Sequence, residues 1–268
     1  MSSEGRERVS HVYEVEVPGT PEEVWAAIAT GPGITAWFVP AEVEGREGGA
    51  TRLEIMPGVH QDGVVSAWEP PARFSYDEEW QSPTGSSIGF ASEFLVEARA
   101  GGTCVVRLVA SAFGSGESWQ DEVGGAFDGW PTMLENLRLA LAHFRGLPCS
   151  PVRAFGSADL TQEEAWYGLC ADLGLTGAEA GRRVEVASGA VRFAGTVERV
   201  ADDEVKLILD SPAPGIAGVI AGGVGDEVYV VLAAWLYGED AAAIAAREEP
   251  GWQAWMAERF PPVEAPSA

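Results

Sequence analysis

The sequence predicts an α+β protein of two tandem modules, each a curved antiparallel sheet wrapped around a long C-terminal helix. Three observations predict it. The stretches "TPEEVWAAIATGPGITAWF" (20–38) and "LTQEEAWYGLCADLGLTG" (160–177) open on the same capping pattern, Thr20 with Glu23 and Thr161 with Glu164, and each then places a tryptophan, Trp25 or Trp166, at the same step. "GGTCVVRLVASAFG" (101–114) and "GDEVYVVLAAWLYG" (225–238) both read as a strand ended by glycine. The helix after each carries Gly-Trp, at Gly129 and Trp130 and again at Gly251 and Trp252. Landmarks repeated in one order mark two divergent copies, residues 8–146 and 150–262, joined through the Pro-containing turn "RGLPCSPVR".

The elements of the first copy follow in order. "HVYEVEV" alternates, so His11, Tyr13, Val15 and Val17 share one side of a strand. Thr20 caps a helix whose first turn accepts Pro21, and Gly31, Pro32 and Gly33 break it before a short second helix ending on Trp37 and Phe38. "TRLEIMPG", "GVVSAWEP", "ARFSYDEEW", "SSIGFASEFLVEA" and "TCVVRLVAS" are strands of a meander, separated by Gly, Pro, Asp and Ser signals. From about Glu122 the period changes, with Phe127, Trp130, Leu134, Leu137 and Leu141 at helical spacings that predict one long amphipathic helix across the sheet. The second copy lacks a counterpart of "ITAWFVPAEVEG" before the strand "RRVEVASG", so it is expected to miss one strand and the Trp-Phe segment, and to pack Trp166, Trp252 and Trp255 as core.

Composition narrows the function. A chain of 268 residues with 46% hydrophobic residues has enough apolar surface for real cores. The net charge of −24 opposes binding to phosphate backbones and anionic headgroups, so no nucleic-acid partner is expected. No secretory signal precedes the first strand and no apolar run is long enough to span a bilayer, which predicts a cytoplasmic location without membrane insertion. Lys206 is the chain's one lysine among many arginines, a bias expected of a GC-rich bacterial genome. Cys104, Cys149 and Cys170 stand apart without CxxC spacing, and His11, His60 and His143 have no metal-ligand spacing, so neither a metal nor another cofactor is expected. The glycines of "PGIAGVIAGGVG" (214–225) lack the GK[ST] of a phosphate loop and read as a glycine-rich hairpin.

The order of elements, "TPEEVWAAI", the Trp-Phe pair, "PPARFSYDEEW" and "GWPTMLENLRLAL" together resemble the START-like (SRPBCC, helix-grip) superfamily, within it the branch of activator of heat shock protein 90 ATPase homologues. The resemblance covers residues 8–146 and is degenerate in the second copy. It implies a sheet gripping a long helix, with an apolar space between them that takes a hydrophobic or aromatic small molecule in many members. On that reading Trp37, Phe38, Trp68, Tyr76, Phe90, Phe94, Phe127, Trp130 and Leu134 are expected as walls, with Trp37 and Phe38 either forming a lid at one mouth or plugging the core.

Glu78 departs from the resemblance. Alternation from Phe74 puts Phe74, Tyr76, Glu78 and Trp80 on one side of the pleat, where the branch commonly has an aromatic in place of Glu78. A carboxylate there is a ligand-recognition group, an acid or base of raised pKa, or the mark of a bulge that turns it outward. Arg107 is not its expected partner, because Cys104, Val106, Leu108 and Ala110 form the inward set of that strand. Three functions stay open: a module binding a hydrophobic small molecule, a cyclase- or aromatase-like enzyme using polar groups of the space, and a chaperone-activator-like interaction module whose protein partner the sequence does not name.

Overall fold

Thr20 starts its helix as the sequence prescribes. Its hydroxyl accepts from the Glu23 amide at 3.3 Å, and Glu23 Oε2 accepts from the Thr20 amide at 2.8 Å. Thr161 and Glu164 repeat the arrangement at 3.2 and 3.0 Å. These two caps head the two units of a computed structural model that describes residues 7–81, 87–115, 119–224 and 227–261. The units are Met1–Arg145 and Gly146–Ala268.

The first unit runs β1 (Glu7–Pro18), α1 (Pro21–Ala29), α2 (Gly31–Thr35), β2 (Ala41–Val43), β3 (Ala50–Met56), β4 (Val59–Glu69), β5 (Arg73–Gln81), β6 (Ser87–Arg99), β7 (Thr103–Gly114), α3 (Trp119–Asp128) and α4 (Trp130–His143). Its seven strands form one sheet in the order β1-β7-β6-β5-β4-β3-β2, every neighbouring pair antiparallel. β4 is bulged between Val65 and Ala67, which bends the sheet locally. In β7 the inward set is the expected one: Cys104, Val106, Leu108 and Ala110 are buried, while Arg107 turns out and pairs with Glu14 at 2.6 Å.

The long helix expected from about Glu122 is two helices, α3 and α4, divided at Gly129 and beginning at Trp119. Pro131 supplies the reason. It has no N–H to give the Phe127 carbonyl four residues back, and its ring crowds that carbonyl. The Tyr13 hydroxyl, from β1, donates to the same oxygen at 2.9 Å. Burial, and then Asp128, raise the Tyr13 pKa, which keeps the hydroxyl protonated as a donor. Beyond the break α4 buries Leu134, Leu137 and Leu141 as its spacing requires.

The second unit runs β8 (Cys149–Ala158), α5 (Gln162–Leu173), β9 (Arg183–Ser188), β10 (Val191–Val200), β11 (Glu204–Ser211), β12 (Gly215–Val224), β13 (Glu227–Tyr237) and α6 (Ala241–Arg259). Its sheet has six strands in the order β8-β13-β12-β11-β10-β9, the first unit's topology with the strand beyond β9 missing. Nothing in the described residues between α5 and β9 corresponds to α2, β2 or the Trp-Phe pair. Trp166, Trp252 and Trp255 lie in its core, with Phe193 5.6 Å from Trp252. The glycine-rich stretch is an inner strand, β12, between β11 and β13. At Gly222 a Cβ would come within 2.3 Å of the cross-strand Tyr229 ring, so the glycine makes room for that aromatic. Gly225, the last residue of the stretch read as a hairpin, and the module end expected at 262 lie outside the described residues. Among the described residues no helix is long and apolar enough to cross a membrane.

Candidate functional site

The Trp-Phe segment after α2 is fastened from two sides. The Trp37 indole N–H donates to the Ala27 carbonyl of α1 at 3.0 Å, and Asn136 of α4 donates to the Trp37 carbonyl at 3.3 Å. Trp37 is 1% exposed, packed into the core rather than standing as a lid at a mouth; Phe38 beside it is half-buried.

Ring contacts then run through the interior between the sheet and the helices. Phe38 stacks on Trp37 at 5.6 Å and meets Trp130 at 5.2 Å. Phe94 of β6 lies 6.3 Å from Trp37 and 6.1 Å from Trp130. From Phe94 the chain of rings continues to Phe74 at 6.3 Å, and Phe74 reaches Tyr76 at 5.6 Å and Trp68 at 5.7 Å. Leu134 is buried on α4. Six of the expected wall residues, Trp37, Phe38, Trp68, Tyr76, Phe94 and Trp130, are thus joined through Phe74. Phe127 stands apart, stacked on His11 of β1 at 4.5 Å.

The remaining two, Glu78 and Phe90, are register partners on β5 and β6. The β5–β6 register is continuous from Arg73 to Gln81, and the bulge lies in β4, so Glu78 keeps the side of Phe74 and Tyr76. One row across the sheet reads Thr51, Gly63, Glu78, Phe90 and Ala112, on β3 to β7. Two side-chain oxygens of this row, Thr51 Oγ1 and Glu78 Oε1, are inaccessible to solvent and have no hydrogen-bond partner among the described residues. Gly63 separates them. A Cβ on it would fall 2.7 Å from Thr51 Oγ1 and 2.8 Å from Glu78 Cγ, so the two groups occupy the space a side chain would take. Burial first, and the neighbouring Asp77 charge second, raise the Glu78 pKa to about 8. The Tyr76 phenol is raised by burial and by Glu78, and is hydrogen-bonded to Ser92.

The arrangement is an aromatic interior with one polar end, where a carboxyl that is mostly protonated at neutral pH offers an unused acceptor oxygen. Sequence reasoning placed Glu78 on the side of the pleat where it lies, and did not single out Thr51, Gly63 or Asn136. Thr51 and Gly63 become visible only when three strands are set in register, and Asn136 looks like an ordinary polar interruption of α4. Among the described residues no His, Cys, Asp and Glu cluster is placed to hold a metal ion.

Residues 18–142 match the family model described as Activator of Hsp90 ATPase homolog 1-like protein. Among solved structures, a protein from Mesorhizobium loti is 24% identical over 51% of this chain and 98% of its own, with a TM-score of 0.44. The Aha1 dimer from Colwellia psychrerythraea is 20% identical over 52% and 99%, with a TM-score of 0.40. The di-domain ARO/CYC BexL is 13% identical over 93% and 99%, with a TM-score of 0.45. No curated protein matches the chain. With its antiparallel sheet and the buried stripe of α4, the stretch 18–142 is of the Activator of Hsp90 ATPase homolog 1-like type, and a second unit with the same strand order less one strand follows it in the chain.

Proposed function

We propose that the first unit binds a hydrophobic or aromatic small molecule between its sheet and helices α1, α2 and α4, with Trp37, Phe38, Phe94 and Trp130 as walls. One observation carries this reading: two solvent-inaccessible side-chain oxygens, on Thr51 and Glu78, are left without partners at the end of an aromatic interior. Natural folds leave few such atoms unsatisfied, because each costs about 1–3 kcal/mol, and a missing ligand is one explanation for a pair of them. The aromatic lining supplies the apolar contact such a ligand needs.

Native mass spectrometry of freshly purified protein tests it together with titration of 1-methylnaphthalene. The expected result is a retained small molecule, or saturable binding that weakens at least about fivefold in Trp130→Ala. No retained mass and no saturable binding would end the proposal. A second reading, a cyclase- or aromatase-like enzyme, draws on Glu78, whose carboxyl at about 8 is suited to proton transfer near neutrality. Turnover that vanishes in Glu78→Gln while the substrate still binds would favour it.

A further inference from the structure

We propose that the Thr51–Gly63–Glu78 row is a recognition site for a protonated amine, so that the ligand of the first unit is an amine-bearing molecule with an apolar or aromatic body. The inference rests on the reading of the aromatic interior as a binding space, and adds the chemistry of its polar end. Both orphaned atoms can accept hydrogen bonds, and an ammonium group is a donor only, with several N–H bonds to distribute. Gly63, lacking a side chain, lets Thr51 and Glu78 lean into one position on the pleat, which brings the two acceptors to the same spot. Phe90 stands opposite Glu78 and Tyr76 precedes it on the same side, so two aromatic side chains border the row.

The charges around the row favour a cation over a neutral hydroxyl. On β5 itself Asp77 adds negative charge beside Glu78. The register neighbours from β3, β4 and β6 are Thr51, Gly63 and Phe90, none of which ionises in the ordinary range. On the helical side α2 has no charged residue, and on α4 Glu135 and Arg138 are paired with each other at 2.7 Å. His143 lies exposed in the last turn of α4, and no described basic side chain is paired with Glu78. The whole chain, at −24, draws cations toward it.

This chemistry has a signature that a hydroxyl ligand lacks. With its pKa near 8, the Glu78 carboxyl is largely protonated at pH 7 before binding. Pairing with an ammonium favours the carboxylate, so the carboxyl proton passes to the buffer as the amine binds. Affinity for an amine must then rise from pH 6 to pH 8.

The experiment titrates the intact protein with 1-naphthylmethylamine, 1-naphthalenemethanol and 1-methylnaphthalene, which share one body and differ in the end group. Calorimetry is run at pH 7 in buffers of different ionisation enthalpy. The expected result is an amine bound about tenfold more tightly than the methyl compound, with release of about one proton. That ratio should fall to within about twofold in Glu78→Gln, and by about threefold in Thr51→Val, a substitution of nearly equal volume that tests the same end without touching the carboxyl. Equal affinities for all three probes, or a preference for the alcohol without proton release, would overturn the amine assignment while leaving the binding space intact. Binding of none of the three would overturn the binding space itself and the assignment with it.

Discussion

Glu78 reverses the pH behaviour of an ordinary protein carboxylate. Its folded pKa, near 8, lies above the value it has in an unfolded chain, so the folded state holds the proton more tightly. The favourable contribution is complete below the unfolded pKa of about 4.3 and is lost as pH rises through 8. Replacing Glu78 by Gln should therefore be close to neutral for stability near pH 4.5 and stabilising above pH 8, on the order of 2 kcal/mol once partial exposure is allowed for. Denaturation curves of parent and variant at the two pH values check this, and superimposable differences would mark Glu78 as solvated. Asn136 carries the opposite expectation. Its amide reaches the Trp37 carbonyl at 3.3 Å in a buried setting, so Asn136→Leu should cost about 1–3 kcal/mol and loosen Trp37, read as a red shift of tryptophan emission. Glu78 was legible in the sequence because alternation along β5 alone assigns its side. Thr51 and Gly63 were not, since nothing within one strand states which residue of the next strand lies beside it.

At the level of elements, helix beginnings were readable and the helix interruption was only half readable. The capping boxes at Thr20 and Thr161 are local codes, written within four residues and independent of the rest of the fold. Thr20→Ala and Thr161→Ala should each cost about 1 kcal/mol, lost from the unit that contains the substitution, as amide exchange in α1 and α5 would report. Periodicity from Phe127 to Leu141 outweighed Pro131 in the expectation of one helix, yet the proline does divide it. What made the division stable is non-local: the hydroxyl of Tyr13, more than a hundred residues earlier in the chain, takes over the Phe127 carbonyl. Tyr13→Phe should then cost about 1 kcal/mol in the parent and clearly less in a Pro131→Ala background, where a backbone N–H is available again. Equal costs in both backgrounds would show that the hydroxyl has another purpose.

The two-unit organisation was readable because the duplicated landmarks keep their order, and the trimmed second sheet because a missing segment leaves a measurable gap between them. The second unit fills its interior with Trp166, Trp252 and Trp255, whereas the first distributes its rings between the helices and the sheet and ends them on polar groups. Net charge acts on the entire chain. At −24 it should accelerate encounter with a cationic probe and leave a neutral one unaffected. Stopped-flow association of 1-naphthylmethylamine is expected to slow several-fold between about 20 and about 200 mM salt, with 1-naphthalenemethanol unchanged. Parallel salt dependence of the two would exclude electrostatic steering.

Gly63 has a bearing on ancestry. A methyl group at that position would collide with the Asp77 carbonyl oxygen at 2.6 Å as well as with Thr51 and Glu78, so a lineage that acquires alanine there must rebuild both neighbours at once. The three residues should therefore be inherited or lost together. Relatives keeping glycine should keep the threonine and the acid, and those that have replaced it should carry apolar side chains at both flanking positions, which makes the triplet a tracer of ligand preference across descendants of this module.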